Sequence, residues 1–346
     1  DELQPARRWT AGCARSEARR QNSTRLLAVE DLRVVFRGDE GEALVVDGVS
    51  FSVEPGETLG IVGESGCGKS VSALAILGLI ADPPGRILPG SSVRLRAEEL
   101  LTALPSRLRE VRGGEIAMVF QEPMTSLNPV LRVGDQVAEA VRLHTELRGG
   151  AVDERVMELL DRVGIPDPSN RARAWPHQLS GGMRQRAMIA MALAGDPEIL
   201  IADEPTTALD VTIQARILGL LDELRRERNM ALVLISHDLG VVAQVADRVA
   251  VMYAGRIVEE GPSASLFSTP AHPYTVGLLR STPDPDRPRE RLAAIPGSVP
   301  SPNAWPPGCR FHPRCPDALD RCRQDDPSLV RAPATRAACW LLEEAP

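Results

Sequence analysis

The run Gly63-Glu64-Ser65-Gly66-Cys67-Gly68-Lys69-Ser70 is the tightest constraint on how this chain can fold. It fits the spacing G-x-x-x-x-G-K-[ST] without a mismatch, and its flanks have distinct characters. Before it, Thr58-Leu59-Gly60-Ile61-Val62 is a short apolar run that predicts a buried strand; after it, the apolar stretch Val71 to Ile80 predicts a helix. Strand, glycine-rich turn and helix in that order call for an α/β fold with the turn at the carboxyl edge of a parallel sheet. The glycines let backbone N–H groups turn inward, and the helix start adds the positive end of its dipole, so the turn suits a chain of phosphates. Lys69 is then placed for the β and γ oxygens of a nucleoside triphosphate and Ser70 for the shell of a Mg²⁺ ion. Ser65, Cys67 and Val71 line the same turn. A ligand-free glycine turn is the plain alternative, and the strand before and helix after argue against it.

Further along, Glu198-Ile199-Leu200-Ile201-Ala202-Asp203-Glu204-Pro205 is apolar without alternation, the pattern of a central parallel strand covered on both faces. Its two carboxylates emerge at the strand's carboxyl end, where one can reach a metal ion and the other a nucleophile. His237 follows a second such run, Met230 to Ile235, and so is expected at the same edge rather than in the core. Just ahead of the acids lies Leu179-Ser180-Gly181-Gly182-Met183-Arg184-Gln185-Arg186, where a hydroxyl and two glycines at a helix start form a second anion-binding pattern. Phosphoryl transfer needs little covalent chemistry and much positioning around an in-line water, and Glu204 beside Asp203 suits the general base.

The order phosphate loop, Gln121, Leu-Ser-Gly-Gly, Asp-Glu, Ala208-Leu209-Asp210 and His237 resembles the ATP-binding-cassette ATPases over roughly Leu26 to Gly261. That resemblance implies an ABC-type nucleotide-binding domain with a helical signature subdomain. It also implies roles: Asp203 coordinates Mg²⁺ with Ser70; Glu204 activates water; Gln121 senses the ion and the transport domain; Asp210 belongs to the loop between subunits; His237 meets the γ-phosphate. Ser180, Gly181 and Gly182 would cap ATP held by a second cassette. Phe36, ending Leu32-Arg33-Val34-Val35-Phe36, stands where the family carries an aromatic under the adenine, although an ordinary core position explains it equally well.

A chain of 346 residues is long enough for a substantial core, and its net charge of −7 lacks the basic footprint of a nucleic-acid binder. It contains no apolar stretch of about 18 residues, so other subunits would have to supply a membrane channel. Residues 1–25 are Arg-rich without an apolar segment and are expected to form a flexible arm. From about 103 to 185 charged helical patterns such as Val152 to Leu160 predict the helical subdomain, within a nucleotide-binding domain spanning 26–262.

Beyond it, Pro283, Pro285, Pro288, Pro296, Pro300, Pro302, Pro306 and Pro307 exclude long helices and central strands. Four of the six cysteines, Cys309, Cys315, Cys322 and Cys339, lie in this extension (263–346). Their spacings, with five, six and sixteen intervening residues, are wider than paired C-x₂₋₄-C zinc motifs, and by spacing alone zinc and a four-cysteine iron–sulfur cluster stay level. Gln121 to Pro129, the DEPTTALD run Asp203 to Asp210 and His272-Pro273-Tyr274-Thr275 resemble ATPases of oligopeptide and dipeptide importers, with related nickel importers as an alternative. This narrower resemblance implies a 4Fe-4S cluster on the four cysteines. Ser70-Val71 and Met183 are closer to the first of that family's two ATPase subunits, which implies a different second ATPase subunit. Two membrane permease subunits, an extracytoplasmic peptide-binding protein and a peripheral place on the cytoplasmic face complete the expectation. A soluble cassette ATPase acting on nucleic acid or ribosomes is the rival from another class.

Overall fold

The computed structural model describes residues 25–39, 41–121, 126–207, 210–282 and 294–343. The expected arm (1–25) therefore falls, apart from Arg25, outside the described residues, as do Glu122 to Thr125, Ala208, Leu209, Pro283, Pro285 and Pro288.

Strands follow the chain as β1 (Leu27–Gly38), β2 (Gly41–Val53), β3 (Thr58–Val62), β4 (Gly85–Ile87), β5 (Ser92–Leu95), β6 (Glu98–Glu99), β7 (Ile116–Val119), β8 (Ile199–Asp203), β9 (Ala231–Ser236), β10 (Arg248–Tyr253), β11 (Arg256–Pro262), β12 (Val330–Arg331) and β13 (Arg336–Ala337). One sheet has the order β2-β1-β5-β6, with β4 also paired to β1. The other has the order β12-β13-β11-β10-β3-β9-β8-β7, and its run from β10 to β7 is parallel. Side chains alternate across this central sheet, which explains the apolar runs without polar alternation. Leu200, Ala202, Leu232 and Leu234 face one buried core; Ile199, Ile201, Val233 and Ile235 face another, shared with Leu27, Val34, Val46 and Phe51 of the antiparallel sheet.

The helices are α1 (Lys69–Ile76), α2 (Pro105–Glu110), α3 (Val133–His144), α4 (Gly150–Arg162), α5 (Pro168–Ala172), α6 (Gly181–Ala192), α7 (Val211–Arg228), α8 (Leu239–Val245), α9 (Ser263–Ser268) and α10 (Pro273–Ser281). Helix α1 contributes Ala73 and Ile76 to the core under the antiparallel sheet. Helices α3, α4 and α6 pack Val137, Val141, Val156, Leu160 and Ile189 together in the other core. The helical stretch is narrower than the expected 103 to 185, because Ile116-Ala117-Met118-Val119 forms β7 and pairs in parallel with β8. The run is apolar and short, so it completes the sheet edge rather than a helix.

The extension is tied to the cassette by packing as well as by pairing. Tyr274 and Phe311 are buried in the same core as Tyr253 of β10, with Tyr253 and Tyr274 ring centres 4.6 Å apart. Its two-residue strands add to the sheet only beyond β11, an edge position that its prolines tolerate. His272, fully buried, accepts at Nδ1 from the Tyr274 N–H at 3.0 Å and so caps α10. Burial pushes its imidazole down to about 4, against the hydrogen bond with the Ala338 backbone, and leaves the ring neutral at pH 7.

Candidate active site

Sheet register assembles the site. Val62 pairs with Ser236 and Asp203 with Ile235, so the residues that follow β3, β8 and β9 emerge side by side at one sheet edge. The phosphate loop, Asp203-Glu204 and His237 arrive there from distant parts of the chain.

Glycine is required in the loop for backbone reasons. Gly63 has φ +156° and a Cβ there would lie 2.1 Å from the Met252 carbonyl oxygen; Gly68 has φ +102° and precedes α1 directly. Cys67 is buried, and its thiol is pushed up by that burial against the pull of Lys69. It therefore packs in the core as an inert thiol beneath the loop. The Lys69 ammonium donates to the carbonyl oxygens of Gly63 at 2.8 Å and Glu64 at 3.0 Å, which lays it across the loop.

Ser70 Oγ donates to Asp203 Oδ1 at 3.0 Å across 133 positions of sequence. A hydroxyl and a carboxylate in contact are the hard oxygen donors that suit Mg²⁺, and these two residues fit that ion. Burial raises the Asp203 carboxyl and the neighbouring Glu204 charge adds to it, against the Ser70 hydrogen bond; a divalent cation would reverse that balance.

Glu204 is held by three side chains. Its Oε2 accepts from Gln121 Nε2 at 3.1 Å and Thr207 Oγ1 at 2.9 Å, and lies 3.1 Å from His237 Nδ1. Burial would raise its carboxyl, but the Thr207 and His237 hydrogen bonds together with the His237 and Lys69 charges outweigh it and hold the group below its ordinary value. Glu204 is therefore a carboxylate at neutral pH. Its backbone sits at φ +47°, anchored by its N–H on the Ile235 carbonyl at 2.9 Å; a left-handed non-glycine residue costs about 1 to 3 kcal/mol.

Ser180 and Asp210 cap helices. Ser180 Oγ accepts from the Met183 N–H at 3.3 Å and Asp210 Oδ1 from the Ile213 N–H at 2.9 Å, each at a helix start. Ser180 and Gly181 are exposed, whereas Gly182 is buried and a Cβ there would meet Ile213 at 2.9 Å. Phe36 packs at the margin of the core; a Cβ on its strand neighbour Gly85 would lie 2.8 Å from the ring.

Sequence reasoning missed the extension's hold on the phosphate loop. Arg314 donates from Nη1 to Glu64 Oε2 at 2.6 Å and from Nη2 to Oε1 at 3.0 Å, and the Tyr274 phenol oxygen accepts the Glu64 N–H at 2.9 Å. Two hundred and ten positions separate Tyr274 from Glu64, and the tripeptide His272-Pro273-Tyr274 was the visible signal.

Cys309, Cys315, Cys322 and Cys339 line one cavity of about 10 Å³ together with His272, Phe311 and Trp340, and none is in a disulfide. Burial raises the Cys309 thiol and pushes Cys315 and Cys339 up to about 11. The donor chemistry suits a soft metal or cluster. The packing does not form such a site: among the described residues no group of three or more His, Cys, Asp or Glu side chains is placed to hold a metal ion. The expected 4Fe-4S cluster, and zinc in its place, thus have clustered donors without a formed cage.

A phosphate loop joined through Ser70 to an acid pair on a parallel sheet, with a capped Ser-Gly-Gly helix on the same chain, defines an ATP-binding cassette. Residues 46–207 match the ABC transporter family and residues 258–322 the oligopeptide/dipeptide transporter C-terminal region. The chain is 52% identical to the dipeptide transport ATP-binding protein DppD of Escherichia coli (strain K12), over 88% of this chain and 92% of that one. It is 48% identical to the oligopeptide transport ATP-binding protein AppD of Bacillus subtilis (strain 168), over 92% and 97%. Among solved structures, a dimeric ATP-binding cassette bound to ADP and Pi superposes with TM-score 0.62 at 27% identity, covering 68% of this chain and 98% of that one. The chain belongs to the ABC transporter ATPases, among the ATP-binding proteins of peptide transport.

Proposed function

We propose that this chain hydrolyses ATP to power import of oligopeptides or dipeptides across the cytoplasmic membrane, from a peripheral position on its cytoplasmic face. The observation that carries the reading is one chain matching both a cassette and the oligopeptide/dipeptide transporter C-terminal region. Its described helices include none long and apolar enough to cross a membrane, in keeping with permease subunits supplying the channel and an extracytoplasmic protein delivering the peptide.

Residues 26–262 form the nucleotide-binding domain and 263–346 the extension in this reading. Loop N–H groups and Lys69 bind the triphosphate, and Ser70 with Asp203 would hold Mg²⁺, which would supply positive charge against the phosphates. Glu204 takes a proton from the attacking water as the bond between the γ-phosphorus and the bridging oxygen breaks, giving ADP and phosphate. Gln121, Thr207 and His237 hold the carboxylate that does this. Exposed Ser180 and Gly181, with Gly182, close over ATP bound by a second, different cassette, and Asp210 lies at that interface. Two ATPs favour the closed pair and product loss removes the bias, a population shift that the Gln121 segment passes to the permease. Phe36 lies beneath the adenine.

The four cysteines converge on one cavity but, among the described residues, form no cage for a metal ion, so the expected 4Fe-4S cluster is the least supported part of this reading. Such a cluster would brace the proline-rich coil. Equimolar zinc, or protein without iron and acid-labile sulfide after anaerobic purification, refutes that part alone. The transport reading is tested by ATP-driven uptake of labelled peptides in vesicles carrying the chain with its permease and binding protein. Uptake of nickel in place of peptide would overturn it.

A further inference from the structure

We propose that Arg314 and Tyr274 are positioning residues for ATP binding, through which the C-terminal extension fixes and electrically balances the phosphate loop. Glu64 is the second residue of that loop, and each of its polar groups is engaged. Its N–H donates to the Tyr274 phenol oxygen, its carbonyl accepts from the Lys69 ammonium, and both carboxylate oxygens accept from Arg314. The extension thus reaches the loop on two sides of one residue, and Lys69 is one bond network away.

Arg314 is built for this contact. Its side chain is 5% exposed, while Glu64 keeps 30%. Its remaining Nε donates to the Pro296 carbonyl at 2.8 Å, and its guanidinium lies 5.7 Å from the Tyr253 ring centre. The fork is therefore oriented by the extension and β10 before it meets Glu64. Arg314 also directly precedes Cys315, so the turn that aims it is the turn that presents a cysteine to the shared cavity.

Charge sets the direction of the effect. A carboxylate in a loop that must accept a polyanion opposes binding, and a bidentate guanidinium offsets it. Removing Arg314 leaves the Glu64 charge uncompensated; removing both restores neutrality but not the clasp. The inference rests on ATP hydrolysis and depends neither on the peptide cargo nor on what the cysteines hold.

The test measures steady-state ATP hydrolysis by the full chain in its membrane complex, at varied ATP, for Arg314→Gln, Arg314→Lys, Tyr274→Phe and Glu64→Gln/Arg314→Gln. For Arg314→Gln the KM for ATP is expected to rise about tenfold, which is about 1.4 kcal/mol, with kcat falling less than about threefold. Arg314→Lys, which keeps charge but not the fork, and Tyr274→Phe are each expected to raise it about threefold. The double variant should recover at least half of the logarithmic loss of Arg314→Gln. A KM within about twofold of the parent for Arg314→Gln, or a double variant no better than Arg314→Gln, overturns the proposal. If Arg314→Gln does not fold, Arg314→Lys and Tyr274→Phe decide the matter: a raised KM in both supports the proposal, and the parental KM in both overturns it.

Discussion

Glu204→Gln separates chemistry from geometry at this site. The substitution keeps the shape of the side chain and an oxygen that can stand where Oε2 accepts from Gln121 and Thr207. The backbone at φ +47° and its bond to Ile235 are untouched, so the loop that carries residue 204 has no cause to move. What disappears is the proton acceptor, and with it the reason for the Thr207 and His237 contacts that hold the carboxyl low. A positioned general base contributes about 10² to 10⁴ in rate, so kcat is expected to fall by that factor, about 3 to 5 kcal/mol of barrier. The assay pairs phosphate release at saturating Mg·ATP with equilibrium binding of a fluorescent ATP analogue, on the same preparation. Binding should be retained within a few-fold. Turnover within tenfold of the parent would remove Glu204 as the base, and joint loss of binding and turnover would show that residue 204 supports the loop instead.

Thr207→Val removes one of the donors that depress the Glu204 carboxyl, so its pKa rises and the base is neutralised at higher pH; the acid limb of the kcat profile should move upward, and an unmoved limb would contradict the assignment. Gly60→Ala places a Cβ 2.3 Å from Val242 Cγ1 and 3.3 Å from Ala246 Cβ, where β3 meets α8, and should cost about 1 to 3 kcal/mol, read as a lower thermal midpoint. Arg310→Met breaks the contacts of a buried guanidinium with the Ala254 carbonyl, Asp47 and the Trp305 ring; limited proteolysis should then release fragments of the extension while the cassette stays intact.

Much of the site was legible in sequence because its parts are local patterns. Gly63 to Ser70, Asp203-Glu204 and His237 each sit at the end of an apolar run, and strand ends in a parallel sheet converge on one edge whatever the loops between them do. β7 was hidden inside a stretch that reads as helical, since four apolar residues carry no period of their own. Thr207 carries no chemical signal of its own in the sequence, because a hydroxyl three positions after an acid acts on it only when the turn folds it back to 2.9 Å.

The extension divides along the same line. Its prolines and cysteines announced a segment without long helices, and that much follows from fixed φ angles and missing donors. They do not show that Tyr274 and Phe311 enter the cassette's core or that Arg314 grips Glu64 across 250 positions. The chain's covalent order determined the phosphate loop, the acids and the strands that present them, because those depend on neighbours in sequence. Only tertiary structure decided that the distant, proline-rich end would close upon the loop, because a two-point ion pair exists only where packing brings its halves together.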